Sequence, residues 1–332
     1  MSFFKKQTTI SLVSLAALFV LSVVLTGCST TKASESDLKT LKIGYQKGNT
    51  LNILKVKGNL DERLKKLGIK VEWNVFPSGG TVLEALAAGK IDYGNAADGS
   101  GVFAQASGQS FVYVGNDRPN PEGMGIMVHP DSPIQNFNDL KGKKVAVVKG
   151  GNHHYLAVLA LESVGLQHDD VEYVYVKDAS EGRALFETKQ VDALGSWDPF
   201  FATVQIDLKP RTLTDGADFS PNRTFYYATD QFAEKYADIV KIILEETDVS
   251  DQWANENKDE VVKMLASELG IDEESLTAMV QRRNYGVEAI TKDTIAPQQK
   301  LADTFQKIGL IEQKIDVSAF MPVGADWAPS VK

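Results

Sequence analysis

The sequence predicts an α/β fold of two related lobes, each built on a largely parallel β-sheet, with a cleft between them. Short β-rich runs alternate with amphipathic segments from residue 41 onward, the order typical of parallel sheets. The same order of elements returns about 100 residues further on. The chain has 332 residues, 43% of them hydrophobic, and a net charge of −9. It is therefore long enough for two cores and too acidic for a general nucleic-acid binder.

The first series of elements extends to residue 115. Its predicted strands are 41–46, 71–76, 91–94 and 111–115. Its predicted helices lie within 51–67, at 81–88 and at 101–107. Gly89 and Gly108 follow the last two helices. Glycine is common at this position because it adopts the left-handed conformation that ends many helices.

The second series begins at residue 144. Its predicted strands are 144–148, 171–176 and 191–194, and its helices are 154–164 and 180–187. Strand 222–229 is expected to return the chain to the first sheet, because the helices that follow would otherwise have little to pack on. Those helices are predicted at 230–253, 258–269, 273–283 and 294–308. The expected lobes are therefore lobe 1 at 38–128 and 223–322, and lobe 2 at 129–222, joined by a two-strand hinge.

An internal repeat supports the pairing of the two series. Residues 42–48 (KIGYQKG) match residues 144–150 (KVAVVKG) at an offset of 102, and each run is a strand that ends in Lys-Gly. Further along, Ile91-Asp92 matches Val191-Asp192 at an offset of 100. Open α/β sheets bind ligands outside the carboxyl ends of their strands. The cleft between the two sheets is therefore the predicted site.

The first 27 residues predict an export signal. Lys5 and Lys6 precede an uncharged, mostly apolar run at 10–25, which is short for a membrane span but suits a signal-peptide core. The run ends in LTGC, which resembles a bacterial lipobox and predicts cleavage before Cys28 and lipidation of that residue. Residues 28–37 would form a lipidated tether that holds the protein on the outer face of the cytoplasmic membrane. The alternative is a plain N-terminal membrane anchor.

The cysteine and histidine content argues against metal sites, disulfides and thiol catalysis. Cys28 is the one cysteine, which excludes an intramolecular disulfide and a cysteine-cluster metal site, and the lipid would consume its thiol. His153 and His154 are adjacent, so they lack the spacing that places two ligands on one helix face. We expect no cofactor and a monomer.

Three loops between a strand and the next helix are predicted to hold an anion. Free N–H groups at a helix start bind anions without a cationic side chain, and glycine lets the backbone approach the ligand closely. The alternative for each loop is ordinary tight turning with helix capping. The predicted binding residues of these loops are Gln46, Ser78, Gly79, Gly80, Gly150, Gly151 and Asn152.

Two further positions are predicted to face the cleft. Trp197 is a large ring at a strand end that would pack against an aliphatic ligand tail, with core packing as the alternative. Asp98, followed by Gly99, would either cap the next helix or meet a cationic group on the ligand. Arg282 and Arg283 are more typical of a solvated helix end than of a cleft wall.

Five motifs in order resemble one family, the aliphatic sulfonate-binding lipoproteins of bacterial ABC importers, which are relatives of taurine- and nitrate-binding proteins. The resemblance covers about residues 38–320. The motifs are 42–48 (KIGYQKG), 76–77 (FP) with 83–86 (LEAL), 103–106 (FAQA) with Gly108, KG-x-N-x-HYL at 149–156, and 197–200 (WDPF).

The resemblance implies a type-2 periplasmic-binding-protein fold that delivers a small anionic ligand to an ABC permease and its ATPase. The sequence departs from the family pattern at Ala96-Ala97 and at Gly151, where two hydroxyl donors are missing. Other ligands therefore stay open, namely taurine, nitrate or a pyrimidine thiamine precursor. An enzyme of thiamine-precursor metabolism on the same fold and an adhesion or signalling lipoprotein are the alternatives of other classes.

Overall fold

The computed structural model describes residues 37–329. The predicted signal peptide at 1–27, Cys28 and most of the tether at 28–37 lie outside these residues. Among the residues described, none of the helices has both the length and the apolar character that crossing a bilayer requires.

The described residues contain eleven strands in two separate sheets. In chain order the strands are β1 (Thr40–Gln46), β2 (Lys70–Phe76), β3 (Tyr93–Ala97), β4 (Val112–Asp117), β5 (Met124–Val128), β6 (Lys144–Val148), β7 (Glu172–Val176), β8 (Ala193–Trp197), β9 (Arg211–Asp215), β10 (Thr224–Ala228) and β11 (Val287–Glu288).

The twelve α-helices of the described residues surround these sheets. They are α1 (Thr50–Lys57), α2 (Asn59–Lys65), α3 (Gly79–Ala87), α4 (Asp98–Ala106), α5 (Asn152–Ser163), α6 (Ala179–Glu187), α7 (Phe200–Leu208), α8 (Asp230–Lys235), α9 (Ala237–Glu256), α10 (Lys258–Leu269), α11 (Glu273–Arg282) and α12 (Lys292–Lys307). The single helix predicted at 230–253 is interrupted, because Tyr236 has non-helical backbone angles and separates α8 from α9.

The two sheets share the same arrangement over five strands, and the first sheet has β11 as a sixth strand at its edge. The first has the order β11-β4-β10-β3-β1-β2, and the second has the order β7-β6-β8-β5-β9. In each sheet three parallel strands are followed by one antiparallel strand, which is β10 in the first sheet and β5 in the second. The chain enters each of these two strands directly after it crosses from the other sheet. The prediction that strand 222–229 returns the chain to the first sheet is confirmed, since β10 lies between β3 and β4.

The internal repeat is visible in matching hydrogen bonds. The N–H of Lys42 donates to Asp92 Oδ2 at 2.8 Å, and the N–H of Lys144 donates to Asp192 Oδ2 at 2.8 Å. The backbone of each aspartate returns a hydrogen bond to the carbonyl of the same lysine. The residues that revealed the repeat therefore fix the same strand neighbours in both sheets.

Two chain segments cross between the sheets, at 118–123 and 216–223, and they form the hinge. The N–H of Asn120 in the first segment donates to the carbonyl of Pro221 in the second at 3.1 Å. The expected first lobe extends to residue 128 and therefore includes β5. The strand pairing assigns β5 to the second sheet instead, because β5 pairs with β8 and β9.

Candidate ligand-binding cleft

A cavity of about 170 Å³ lies between the two sheets, beside the hinge. The last residues of four parallel strands line it, and they are Gln46 of β1, Ala97 of β3, Val148 of β6 and Trp197 of β8. Asn120 and Asn222 of the two hinge segments complete the wall. The cavity is therefore where the strand topology predicts a ligand site.

Seven of the ten residues predicted to bind the ligand line this cavity, and three lie behind its wall. The seven are Gln46, Ser78, Gly79, Gly80, Gly151, Asn152 and Trp197. The other three, Asp98, Gly99 and Gly150, are next to lining residues and do not themselves line the cavity.

The N-termini of five helices meet at the cavity. The residues that precede α1, α3, α4 and α5 all line it, and they are Asn49, Ser78, Ala97 and Gly151. Asp198, two residues before α7, lines it as well. Each helix start carries a partial positive charge and N–H groups with no acceptor inside the helix. At α1, α4 and α7 a side chain already accepts from one of these groups, namely the N–H of Asn52, Gly99 and Ala202. The cavity is therefore surrounded by groups that attract an anion.

The start of α3 has two consecutive glycines with different surroundings. A Cβ on Gly79 would lie 2.8 Å from Ser100 Oγ, so this position packs tightly against α4. A Cβ on Gly80 would meet nothing within 4 Å, so the backbone is open to the cavity there. The N–H of Ser78 is already used, since it donates to Thr81 Oγ1 at 3.3 Å. Gly79 and Gly80 are the first two helical residues, and their N–H groups have no intrahelical acceptor.

The loop before α5 differs from its predicted role as an anion cradle. The N–H of Gly150 donates to His154 Nδ1 at 3.2 Å, and the N–H of Gly151 donates to the carbonyl of Val148 at 3.0 Å. Gly150 has φ of +74°, a conformation that glycine adopts freely, and this turn directs both N–H groups back into the loop. Two of the three predicted donors therefore have acceptors already, one in α5 and one at the end of β6.

Asp98 is buried at the start of α4. Its Oδ1 accepts a hydrogen bond of 2.7 Å from the N–H of Gly99, and burial raises the pKa of the carboxyl to about 6. The backbone carbonyl of Asp98 accepts a hydrogen bond from Gln298 of α12. Of its two predicted roles, the contact with the helix start is present in the structure.

Two aromatic rings stack along the second-lobe wall. Trp197 and His153 have ring centroids 4.8 Å apart and planes inclined by 15°, and Phe200 meets Trp197 edge-on at 5.5 Å. Burial lowers the pKa of His153 to about 3, so its ring is neutral at physiological pH. Trp197 lines the cavity, and it also packs against the core of the second sheet.

Sequence reasoning missed the charged residues of the wall. Among the described residues the lining includes three cations, Lys47, Lys149 and Arg283, and two carboxylates, Glu84 and Asp198. Arg283 is 8% exposed rather than solvated, because its Nη2 lies 2.5 Å from Asp117 Oδ2 inside the first lobe. The sequence signal was the Arg-Arg pair, which alone does not separate a buried arginine from an exposed helix end.

Asp198 is the second buried carboxylate of the site. Its Oδ2 lies 3.2 Å from Arg282 Nε, and its Oδ1 accepts a hydrogen bond from the N–H of Ala202. Burial raises the pKa of Asp198 to about 6, although the charge of Arg282 opposes this shift. Arg282 and Arg283 therefore have separate roles, since one pairs with Asp198 and the other pairs with Asp117.

Comparisons with known proteins agree on one group of relatives. The family model described as NMT1/THI5 like matches residues 64–261. The chain is 34% identical over 286 residues to an aliphatic sulfonates-binding protein of Escherichia coli (strain K12), which covers 86% of this chain and 89% of that protein. It is 30% identical over 309 residues to a protein of the same description from Bacillus subtilis (strain 168), which covers 91% of this chain and 92% of that protein.

Solved structures share the fold. The alkanesulfonate-binding protein SsuA from Xanthomonas axonopodis pv. citri, bound to MOPS, superposes with a TM-score of 0.81 and 29% identity, covering 86% of this chain and 98% of that chain. The desulfurization enzyme DszB superposes with a TM-score of 0.61 at 16% identity. The second likeness is evidence of a common fold alone.

Proposed function

The chain belongs to the NMT1/THI5-like family, together with relatives described as aliphatic sulfonate-binding proteins, and from this premise we propose that it captures aliphatic sulfonates for uptake by an ABC importer. The resemblance predicted from the sequence motifs is thereby confirmed at the level of the family. The sulfonate would enter the cell as a source of sulfur.

The observation that carries the proposal is the meeting of five helix N-termini at one cavity. A sulfonate has three oxygens that share one negative charge, so it needs several donors arranged around it. N–H groups fixed at helix starts supply such donors and cost little reorganisation when the ligand is desolvated. Arg283 is paired with Asp117 and Asp198 is paired with Arg282, so the remaining charges of the wall are Lys47, Lys149 and Glu84. Their excess of one positive charge also favours an anion.

The position of the sulfonate head is best supported at the start of α3. Gly80 is open to the cavity, and its N–H lies in the first turn of the helix. The loop of Gly150 and Gly151 is less suited, because its N–H groups have acceptors already. We therefore assign the principal anion contact to Gly79 and Gly80, with Arg283 as a cation whose charge Asp117 partly balances.

The alkyl tail would lie against the second-lobe wall. Trp197 offers a flat apolar face there, and Phe103 of α4 lines the cavity from the first lobe. A ligand that touches both lobes binds the closed state better than the open one, and only such a difference in affinity shifts the equilibrium towards closure. Closure would then signal a loaded protein to the permease and its ATPase.

We propose that the protein acts outside the cytoplasmic membrane, anchored as a monomer by lipid on Cys28. The support comes from the LTGC motif at residues 25–28 and the polar segment that follows it. An extracytoplasmic position also agrees with capture of a solute before transport.

A binding function is better supported than an enzymatic one. Among the described residues of the wall, His153 is the histidine that could act as a general base, and both of its ring nitrogens are engaged. Nε2 accepts from the N–H of Val148 at 2.9 Å, and Nδ1 lies 3.1 Å from Asn152 Oδ1. A base of this kind needs a free nitrogen within reach of a nucleophile or of the substrate.

A thermal-shift panel on the purified chain from residue 29 onward tests the proposal. A ligand that binds the folded state raises the unfolding temperature with its concentration. We expect stabilisation by alkanesulfonates, with weaker effects of taurine and nitrate and none of pyrimidines. Stabilisation by a pyrimidine alone would support the thiamine-precursor alternative, and a flat response to the whole panel would support an adhesion or signalling role.

A further inference from the structure

His153 connects the cleft wall to the hinge through a continuous series of hydrogen bonds, all of them buried except the first, which is partly buried. The ring accepts a hydrogen bond at Nε2 from the N–H of Val148, so its proton is on Nδ1, 3.1 Å from Asn152 Oδ1. Nδ1 therefore donates to that oxygen. The side chain is 2% exposed, and burial keeps the ring neutral by lowering its pKa to about 3. Protonation would place a second N–H opposite the N–H of Val148.

The series continues from the second lobe into both hinge segments. Asn152 Nδ2 donates to Asn222 Oδ1 at 2.6 Å, and Asn222 Nδ2 donates to the carbonyl of Asn120 at 2.6 Å. Each amide oxygen accepts and each amide nitrogen donates, so the bonds from Val148 to Asn120 have one consistent direction. Asn120 and Asn222 belong to different hinge segments.

Asn222 has an uncommon backbone conformation that this series stabilises. Its φ is +46°, a region that non-glycine residues seldom adopt, although asparagine tolerates it better than most. The residue is 7% exposed, and its own N–H donates to Ser220 Oγ at 3.2 Å. The side-chain bonds of Asn222 to Asn152 and Asn120 therefore stabilise the second hinge segment in this conformation.

The ring of His153 also supports the ligand wall directly. It stacks on Trp197 at 4.8 Å, and a Cβ on Gly151 would lie 2.7 Å from His153 Cε1. The same ring thus contacts Trp197 and Gly151, and it belongs to the series of hydrogen bonds that leads to the hinge. We call this series the path. His154, its neighbour, instead accepts from the N–H of Gly150 and has no place in the path.

We propose that His153 is a positioning residue that couples the aromatic wall of the cleft to the hinge through Asn152 and Asn222. Movement of Trp197 on a ligand tail then displaces the ring and alters the bonds that hold the hinge asparagines. The inference rests on the proposed function for its ligand measurement, whereas hydrogen exchange of the ligand-free protein tests the path independently.

Two variants separate the two contacts of the ring. His153→Phe keeps a ring beside Trp197 and removes both hydrogen bonds. His153→Asn keeps a donor near the position of Nδ1 and removes the stacking partner. His129→Phe is the matched control, since His129 stacks on Phe186 at 4.0 Å elsewhere in the second lobe.

Amide hydrogen exchange without ligand is the first measurement. We expect exchange of residues 216–223 to become about tenfold faster in His153→Phe and to stay within about twofold of the parent in His153→Asn and His129→Phe. Equal exchange in His153→Phe and His129→Phe would overturn the proposal, as would fast exchange in His153→Asn.

Calorimetric titration with methanesulfonate and octanesulfonate is the second measurement. His153→Phe should weaken both ligands by a similar factor of about ten, whereas His153→Asn should weaken octanesulfonate more than methanesulfonate. The same pattern in both variants would overturn the two-contact assignment. If the parent binds neither sulfonate, the proposed function fails and the exchange result alone decides the inference.

A second route leaves the His153 ring in place and changes the hinge end of the path. Asn222→Gly accepts the positive φ and removes the side chain that joins Asn152 to Asn120. We expect exchange of residues 216–223 to be faster than in the parent, as in His153→Phe. If His153→Phe does not fold, Asn222→Gly still tests the path. Unchanged exchange of residues 216–223 in Asn222→Gly would contradict the proposal.

Discussion

Gly99 of the first lobe lies directly against Gly150 of the second. A Cβ on Gly99 would be 2.6 Å from the carbonyl oxygen of Gly150 and 2.9 Å from the carbonyl carbon of Gly151. Both contacts are with backbone, which cannot move aside as a flexible side chain does. The two lobes therefore approach each other this closely because residue 99 has no side chain.

Gly99→Ala should consequently hinder closure of the lobes. Alanine suits the first turn of α4, so the helix should persist, while the methyl group separates α4 from the Gly150 loop. We expect sulfonate affinity to fall at least tenfold, with a larger radius of gyration in X-ray scattering of the ligand-bound protein. Gly182→Ala is the control, because it adds the same methyl group to α6, away from the cleft, where the nearest atom is Leu194 Cδ1 of a flexible side chain at 3.1 Å. Equal affinities of the two variants would remove Gly99 from the closure contact.

Two variants of Gly80 test where the anion binds. Gly80→Pro removes one N–H in the first helical turn, where proline is tolerated, whereas Gly80→Ala keeps it. We expect Gly80→Pro to lose on the order of 1–3 kcal/mol of binding free energy, the typical effect of one hydrogen bond to a charged group. Calorimetric titration of both variants measures this difference, after circular dichroism has shown that both are folded. Equal binding would place the sulfonate elsewhere in the cavity.

Trp197→Ala should weaken long-chain sulfonates more than methanesulfonate. The ring is expected to cover the tail, and apolar burial at about 25 cal/mol per Å² predicts a loss on the order of 1–2 kcal/mol for the longer ligands. The measurement is a set of titrations with chains of increasing length. A loss that does not depend on chain length would assign Trp197 to the core alone.

The raised pKa of Asp98 predicts that the stability difference between Asp98→Asn and the parent depends on pH. Its pKa is raised from 3.8 to about 6 by burial, so between these values the folded state keeps a proton that the unfolded chain has lost. The stability that the protonated Asp98 carboxyl contributes is therefore complete below about pH 4, and it is lost as the pH rises to about 6. Asp98→Asn avoids this loss and can still accept from Gly99. Its free energy of unfolding relative to the parent should rise by on the order of 2–3 kcal/mol over that interval.

Denaturant unfolding at several pH values checks this prediction. The difference between Asp98→Asn and the parent should increase from pH 4 to 6 and then remain constant. The comparison cancels the other titrating groups that both proteins share. A difference that stays constant from pH 4 upward would mean that Asp98 is ionised throughout.

Cys28→Ser tests the proposed anchor. Serine lacks the thiol that the lipid modifies, so the precursor should be neither lipidated nor cleaved at this site. Metabolic labelling with a fatty acid measures the first effect, and the size of the cell-associated protein measures the second. A Cys28→Ser variant that still incorporates label would contradict the lipobox assignment.

The sequence predicted the elements and the position of the cleft because both depend on local patterns. Strand and helix periods marked most elements, and the repeat of Lys42 and Asp92 at Lys144 and Asp192 predicted two similar sheets. Strand ends and glycine-rich turns then indicated which loops face each other. These signals involve neighbouring residues, so a single sequence contains them.

The contacts inside the site could not be predicted in the same way. Arg283 is buried because Asp117, far away in the chain, balances its charge, and the hydrogen bonds of His153 reach Asn222 through Asn152. The N–H groups of Gly150 and Gly151 donate to His154 of α5 and Val148 of β6, and these contacts depend on the turn geometry. Such pairings depend on distances in the fold, and sequence patterns do not specify them.

Capture of a sulfonate with closure of the lobes is the central claim, and one combined measurement tests it most directly. The purified protein is titrated with butanesulfonate in a calorimeter, and X-ray scattering is recorded from the same samples. We predict one ligand per protein, competition by other alkanesulfonates, and a smaller radius of gyration at saturation. An absence of heat with every alkanesulfonate, or binding with unchanged scattering, would contradict the account.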